Sequence, residues 1–268
     1  MQSNKNGKVL VFDSGMGGLT IAREIRACAP NLAVDYAADT GFFPYGDKSD
    51  AELRARLPDL ARALVEQAQP DVFVIACNTA STLALAAVRE AVSLPVVGTV
   101  PAIKPAVALS QTKTIGLLAT PGTIRRAYTA ELVQKFAADA HILMQGSVEL
   151  VHMAEALASG EPVSLDAFRR VLTPLFEADT QQSMDTIVLA CTHFPLIRGE
   201  LAAAVPRPVN FVDSGEAIAR QTLRVLPEHA SHTDAGGKVW LTSERDQQSR
   251  LLEVCRRFGF DRVEQVDV

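Results

Sequence analysis

Short apolar runs alternate with longer stretches in which apolar residues recur every three or four positions, and this alternation covers most of the chain. Lys8–Asp13 reads as a strand, Leu19–Ala29 as a helix, Ala33–Ala38 as a strand, Ala51–Ala68 as a helix, Asp71–Ala76 as a strand and Ala80–Val92 as a helix. The pattern continues through a short strand at Pro95–Gly98, a helix from about Pro101, strand Thr114–Ala119, helix Thr123–Ala137 and strand His141–Met144. Helices follow over 147–158 and 164–181, then strand Thr186–Ala190, a short strand Val209–Val212 and a helix opening at Ser214. A strand, a helix and a short strand over 238–266 close the series. Repeats of this kind build parallel sheets, because right-handed crossovers return each helix onto the sheet it left.

Proline punctuates the pattern near Val100–Pro105 and again at Pro206–Pro208, which marks two crossings between α/β halves. The expected organisation is a discontinuous first domain, 1–99 plus 209–268, and a second domain, 100–208. The fold class is α/β: two pseudo-symmetric parallel-sheet domains with the active site in the cleft between them, where open α/β sheets place their ligands.

Composition narrows the function. The chain has 268 residues, 48% of them hydrophobic, enough for one large or two modest cores, since domains usually run to about 100–200 residues, and two domains are expected. With 26 Lys+Arg against 31 Asp+Glu the net charge is −5, and no basic run is present to neutralise phosphates, so nucleic acid is not the expected partner. The apolar runs fall far short of the ~18 residues a membrane span needs. The start, MQSNKNGKVLVFDSG, passes from a polar tail into a strand without the apolar core of a signal peptide, so a cytosolic location is expected. Cysteines at 28, 77, 191 and 255 are too few and too dispersed for a disulfide framework or a zinc site. No metal is expected.

The candidate chemistry lies in a repeated phrase, Val72-Phe-Val-Ile-Ala-Cys77-Asn-Thr and Thr186-Ile-Val-Leu-Ala-Cys191-Thr-His. Each cysteine ends a buried-type strand and precedes a helix, so each sulfur is expected at the carboxyl edge of a sheet beside a helix N-terminus. Backbone N–H groups and the helix dipole favour thiolate there. Cys28 and Cys255 lie inside helical patterns and read as structural. Asp-Ser-Gly also occurs twice, at Asp13-Ser14-Gly15 and at Asp213-Ser214-Gly215. The second copy reads as a helix cap. In the first, Gly15-Met-Gly17-Gly18 allows a close approach of backbone and ligand, and the balance moves toward function. His193, two residues past Cys191, is a candidate charge partner for that thiol.

Two equivalent thiols suit inversion of a stereocentre, one removing a proton from one face of a carbon and the other supplying a proton to the opposite face. An α-amino acid offers such a carbon if its carboxylate is neutralised as charge flows into it. Enzymes supply roughly 8–23 kcal/mol and a single preorganised donor roughly 3–4, so several donors are needed. Asn78, Thr79, Thr120, Thr192 and neighbouring helix-entry amides are the candidates.

At this point the residues resemble a known family, the cofactor-independent aspartate/glutamate racemases, and in particular its glutamate-acting members. The resemblance is carried by Val11-Phe-Asp-Ser-Gly-Met-Gly-Gly-Leu, Pro44-Tyr-Gly-Asp-Lys-Ser49, Ile75-Ala-Cys-Asn-Thr-Ala-Ser81, Ala119-Thr-Pro-Gly-Thr123, Leu189-Ala-Cys-Thr-His-Phe-Pro-Leu196 and Val212-Asp-Ser-Gly-Glu-Ala217. It implies that Cys77 takes the proton from D-glutamate and Cys191 from L-glutamate, with Asp13 and His193 tuning the thiols. Substrate-holding positions implied in the same way are Ser14, Pro44, Tyr45, Gly46, Asn78, Thr79, Thr120, Thr123 and Thr192. Glu155 is a further, auxiliary candidate, in a stretch that departs from the family pattern at His152 and Met153-Ala154. The resemblance further implies a route to D-glutamate for peptidoglycan without pyridoxal phosphate, metal or nucleotide, and a homodimer. Some relatives carry an N-terminal extension tied to activation by a cell-wall precursor. With about seven residues ahead of the first strand, no such activation is expected here.

Three other readings stay open at this point. Gly15-Met-Gly17-Gly18-Leu-Thr20 with Asp35 partly mimics a dinucleotide fingerprint, and NAD(P) binding would reveal it. Cys191 with His193 could act as a covalent thiol pair, and a trapped acyl-enzyme would reveal that. A non-catalytic amino-acid binding protein would saturate with glutamate and leave its chirality unchanged.

Overall fold

The computed structural model describes residues 7–228, 236–243 and 249–266. The polar stretch 1–6, and residues 244–248 within the segment read as strand, helix and strand, lie outside the described residues. The chain opens with β1 (Lys8–Asp13), α1 (Leu19–Cys28), β2 (Ala33–Ala38), α2 (Asp50–Ala68), β3 (Val72–Ile75), α3 (Asn78–Ala91) and β4 (Val96–Gly98). It continues with α4 (Ile103–Leu109), β5 (Thr114–Ala119), α5 (Pro121–Arg125), α6 (Ala127–Phe136), β6 (His141–Gly146), α7 (Glu149–Ala158), α8 (Leu165–Ala178), β7 (Thr186–Ala190), α9 (Arg198–Ala204) and β8 (Asn210–Val212). It ends with α10 (Gly215–Val225), β9 (Gly236–Leu241), α11 (Ser249–Arg257) and β10 (Arg262–Gln265).

The elements fall into two compact α/β units. One holds the described residues through Thr99 together with those from Gly215 onward; the other is Val100–Ser214. The second crossing therefore comes later than the expected 208/209 boundary. The physical reason is β8, which was expected to open the returning segment but pairs with β7, Thr186 against Asn210 and Val188 against Val212.

The first unit is a six-stranded sheet in the order β10-β9-β2-β1-β3-β4, every pair parallel. β1 and β2 are buried along their full length, which is why both read as nearly continuous apolar runs. α2 starts in a capping box, Ser49 accepting from the Glu52 N–H while Glu52 accepts from the Ser49 N–H. Its Leu53, Leu57, Leu60 and Leu64 then pack with Phe12, Phe73 and Ile75 of the sheet. α1 seats so closely that a β-carbon on Gly18 would stand 2.9 Å from those of Asp13 and Ala76. The tight contact at this glycine is thus between helix and strand ends.

The second unit is a four-stranded parallel sheet, β6-β5-β7-β8. Its order repeats β2-β1-β3-β4, so β5 stands where β1 stands and β7 where β3 stands. The two units are pseudo-symmetric in topology, and Cys77 and Cys191 follow equivalent strands. The helix expected over Thr123–Ala137 is two helices, parted at Arg126, whose backbone is extended. The Thr129 hydroxyl donates to the Thr123 carbonyl across this break (2.6 Å) and satisfies a group the interruption exposes. Among the described residues no helix is long and apolar enough to cross a membrane.

Candidate active site

In the first unit the candidate residues gather at the carboxyl edge of the sheet. Phe12 pairs with Ile75, and the Ala76 N–H donates to the Phe12 carbonyl (2.7 Å), so Asp13 and Cys77 leave adjacent strands side by side. Asp13 is fully buried; its Oδ1 accepts from the Gly15 N–H (3.0 Å) and the Ser14 hydroxyl (3.3 Å). The Tyr36 hydroxyl holds the same turn by donating to the Gly15 carbonyl (2.5 Å). Cys77, 6% exposed, is the N-cap residue of α3, and its side chain makes no capping hydrogen bond. Asn78 and Thr79 occupy the first turn and are buried. Asn78 Oδ1 is a buried acceptor with no hydrogen-bond partner, the kind of atom a bound donor would satisfy.

Tyr45 joins the same apolar cluster as Cys77, with Pro44 and Gly46 half-buried on either side of it. Its hydroxyl donates to Asp39 Oδ2 (2.6 Å). Burial, and next the negative charge of Asp39, push the phenol well above its ordinary pKa, so Tyr45 stays a neutral donor. Asp39 is fully buried and is also gripped by Arg56 through two 2.7 Å bonds and by the Thr242 hydroxyl (2.6 Å). Sequence reasoning missed Asp39, Arg56 and Thr242. A carboxylate directly after β2 and ahead of Pro44-Tyr45-Gly46 was the available signal, but an Asp at a strand end reads first as a turn residue.

Asp35, the acid in the dinucleotide-like spacing, is committed elsewhere. It lies mid-strand, fully buried, paired with Lys8 (3.1 Å), and accepts from the Lys238 N–H (2.9 Å) and the Trp240 indole (3.4 Å).

In the second unit, Thr120 caps α5 as Asp13 ends β1. Its hydroxyl accepts from the Thr123 N–H (3.3 Å) and lies 3.0 Å from the Thr123 hydroxyl, and both residues are buried. Cys191, 7% exposed, follows β7 with Thr192 and His193, all buried. The turn after it is a four-residue 3-10 helix, Phe194–Ile197, before α9, so the expected α-helical N-terminus at this thiol is absent. An imidazole stands in its place. His193 Nδ1 is 3.8 Å from Cys191 Sγ, and its Nε2 is 2.7 Å from Glu155 Oε1 on α7. Burial alone would lower the His193 pKa, but hydrogen bonds to Cys191 and Glu155 and their charges overcome it and raise the pKa well above the ordinary value. A protonated ring donates from both nitrogens, to the sulfur on one side and to the carboxylate on the other.

Ser214, read as a helix cap, donates its hydroxyl to the Val100 carbonyl (2.6 Å) at the chain crossings. A separate cavity of about 710 Å³ lies at the C-terminal ends of α8 and α9, with Arg169, Phe176, Asp179 and Arg207 among its walls. None of the candidate residues lines it.

Two parallel α/β units of matching topology, each with a buried cysteine just past an equivalent strand and polar side chains beside it, define the class of protein. A model of the Asp/Glu/Hydantoin racemase family matches residues 19–222. The chain is 45% identical to the glutamate racemase of Klebsiella pneumoniae (strain 342), covering 98% of this chain and 93% of that one. It is likewise 45% identical to the glutamate racemase of Escherichia coli O157:H7, covering 97% and 91%. The crystal structure of Escherichia coli glutamate racemase in complex with L-glutamate and the activator UDP-MurNAc-ala superposes with a TM-score of 0.92 at 44% identity, covering 98% of this chain and 99% of that one. The chain belongs to the Asp/Glu/Hydantoin racemase family and is an isomerase.

Proposed function

We propose that this enzyme interconverts L- and D-glutamate without a cofactor, with Cys77 and Cys191 as the two bases. The observation that carries the reading is the equivalence of the two cysteines, each at the end of the third strand of its unit, each buried and each supplied with its own polar group of side chains. Near-full-length identity to glutamate racemases supports glutamate as the substrate.

In this mechanism Cys77 removes the α-proton of D-glutamate. The C–H pair flows toward the substrate carboxylate, and Cys191 delivers its own proton to the opposite face; from L-glutamate the roles exchange. Charge building on the carboxylate is met by the first-turn amides of α3 and by Thr79, Thr120 and Thr192, each donor supplying roughly 3–4 kcal/mol of the barrier reduction. The orphaned Asn78 Oδ1 is a natural acceptor for the substrate ammonium. Ser14, Thr123 and the Pro44-Tyr45-Gly46 turn complete the binding surface. Asp13 serves the Cys77 side, and His193 with Glu155 serves the Cys191 side. The enzyme works in the cytosol as a homodimer and feeds D-glutamate to peptidoglycan synthesis.

The test is incubation of L-glutamate in D2O with wild type, Cys77→Ala and Cys191→Ala, following circular dichroism and α-deuterium. Wild type loses optical activity and incorporates deuterium. Each single variant loses racemisation by at least about a hundredfold, the scale expected when a general base is removed. Full racemisation in either variant rules out the two-thiol assignment.

A further inference from the structure

Ser81 lies one helical turn past Cys77 and is buried, 4% exposed. Its hydroxyl donates to the Ile75 carbonyl (3.0 Å) at the end of β3, and the same oxygen accepts from the Thr99 N–H (2.9 Å) just past β4. Its backbone N–H donates to the Cys77 carbonyl (2.9 Å). Three pieces of chain thus converge on one serine: the last residue of β3, the residue that bears the thiol, and the exit from β4. A serine inside a helix usually turns back to the carbonyl four residues earlier, or faces water. Here the hydroxyl bypasses that carbonyl and reaches six residues back.

Between the two fixed carbonyls of Ile75 and Cys77 lies only Ala76, so the peptide planes that set the direction of the Cys77 side chain are held from both ends. The second unit has no counterpart. Four residues past Cys191 stands Pro195, which has neither a hydroxyl nor an N–H, and the sulfur is oriented from the side by His193 and Glu155 instead.

We propose that Ser81 is a positioning residue for Cys77 alone, a brace that aims one of the two thiols at the substrate carbon; this rests on the two-thiol reading above. Its consequence is one-sided. Removing the brace raises the barrier for proton transfer at Cys77 and leaves the barrier at Cys191 as it was. Overall kcat/KM falls equally in both directions, because the two enantiomers are equal in free energy. The isotope effects do not move together. When α-deuterated D-glutamate is the substrate, the C–D bond breaks at Cys77, the step that has become more limiting, and the primary effect rises toward its intrinsic value. With α-deuterated L-glutamate the bond breaks at Cys191, now less limiting, and the effect falls.

The experiment measures both isotope effects on kcat/KM in wild type, Ser81→Ala, Ser81→Cys and Ser81→Thr, with Cys77→Ala alongside. Ser81→Ala is expected to lower kcat/KM roughly tenfold, the scale of one lost buried hydrogen bond, and to raise the D-to-L ratio of isotope effects. Ser81→Cys keeps the volume, weakens both bonds and shifts the ratio the same way by less, and it carries the test should Ser81→Ala not fold. Ser81→Thr restores the hydroxyl and the wild-type ratio. An unchanged ratio in Ser81→Ala and Ser81→Cys overturns the proposal, even if rates fall, since a general loss of structure slows both transfers alike. Racemisation persisting in Cys77→Ala would instead overturn the two-thiol reading itself, whatever Ser81 does.

Discussion

His193 sits between a carboxylate and a thiol, and its charge state follows from that position. Glu155 Oε1 at 2.7 Å and Cys191 Sγ at 3.8 Å favour the protonated ring more than burial disfavours it. A histidine whose folded pKa is raised adds stability that is complete below its unfolded value of about 6.5 and is lost as pH climbs through the folded value. Glu155→Gln removes one of the two supports. The His193 Cε1–H resonance is therefore expected to titrate at lower pH in Glu155→Gln than in wild type. The loss of unfolding free energy on the alkaline side begins near the unfolded value in both proteins but is smaller, and complete at lower pH, in Glu155→Gln, as read from urea midpoints across the pH range. An identical titration in both proteins would show that the carboxylate does not govern the ring. Glu155 was legible only through resemblance, since on α7 it looks like any helix-surface acid, and only the fold brings a residue 38 positions from His193 against it. Asp39 offered only its place after β2, which reads first as a turn: its partners Tyr45, Arg56 and Thr242 come from separate elements, the last of them 203 positions away.

Strand and helix positions were the most readable features, because β1, β2, β5 and β7 are buried along their full length and appear as nearly continuous apolar runs, broken in β2 by Asp35. Interruptions within helical patterns were not readable. Nothing in Arg125-Arg126-Ala127 announces the break between α5 and α6, which contains neither glycine nor proline. The same limit applies past Cys191, where a 3-10 turn replaces the expected helix start. Gly18 shows the reverse case, a glycine plain in the sequence whose reason lies in the packing of α1. Its backbone lies at φ −64° and ψ −13°, open to any residue, so the requirement is the close seating of α1 on the ends of β1 and β3. Gly18→Ala puts a methyl group 2.9 Å from the β-carbons of Asp13 and Ala76, and neither can yield without moving its strand end. The expected cost is about 1–3 kcal/mol in urea unfolding, typical of overpacking, with a fall in kcat because Asp13 and the residue preceding Cys77 are the atoms displaced. Unchanged stability would mean that α1 can lift off the sheet without penalty.

The whole chain is laid out so that one unit is a single continuous segment and the other is completed only when the chain returns. Val100–Ser214 contains all four strands of its sheet and its own apolar cluster, in which Ile115, Leu117, Val188 and Ala190 meet Ala102 and Ala106. Asp185 fastens the turn ahead of β5 by accepting from the Ser110 hydroxyl (2.6 Å) and the Gln111 and Thr112 N–H groups. Although burial works against ionisation, these bonds hold its pKa at about 2. The segment 7–99 has no such completeness. It ends its sheet at β2, whose outer edge is paired in the whole protein by β9, and it buries Asp35 among groups that include the Lys238 N–H and the Trp240 indole from the returning chain. α1 likewise packs against α10. An excised 100–214 fragment is therefore expected to unfold in one cooperative urea transition, with slow amide exchange in β5 and β7. An excised 7–99 fragment, with an open strand edge and a buried carboxylate stripped of two donors, is expected to show no cooperative transition. Cooperative folding of 7–99 alone would show that the returning strands decorate a finished sheet, and failure of 100–214 would show that its core depends on the flanking chain.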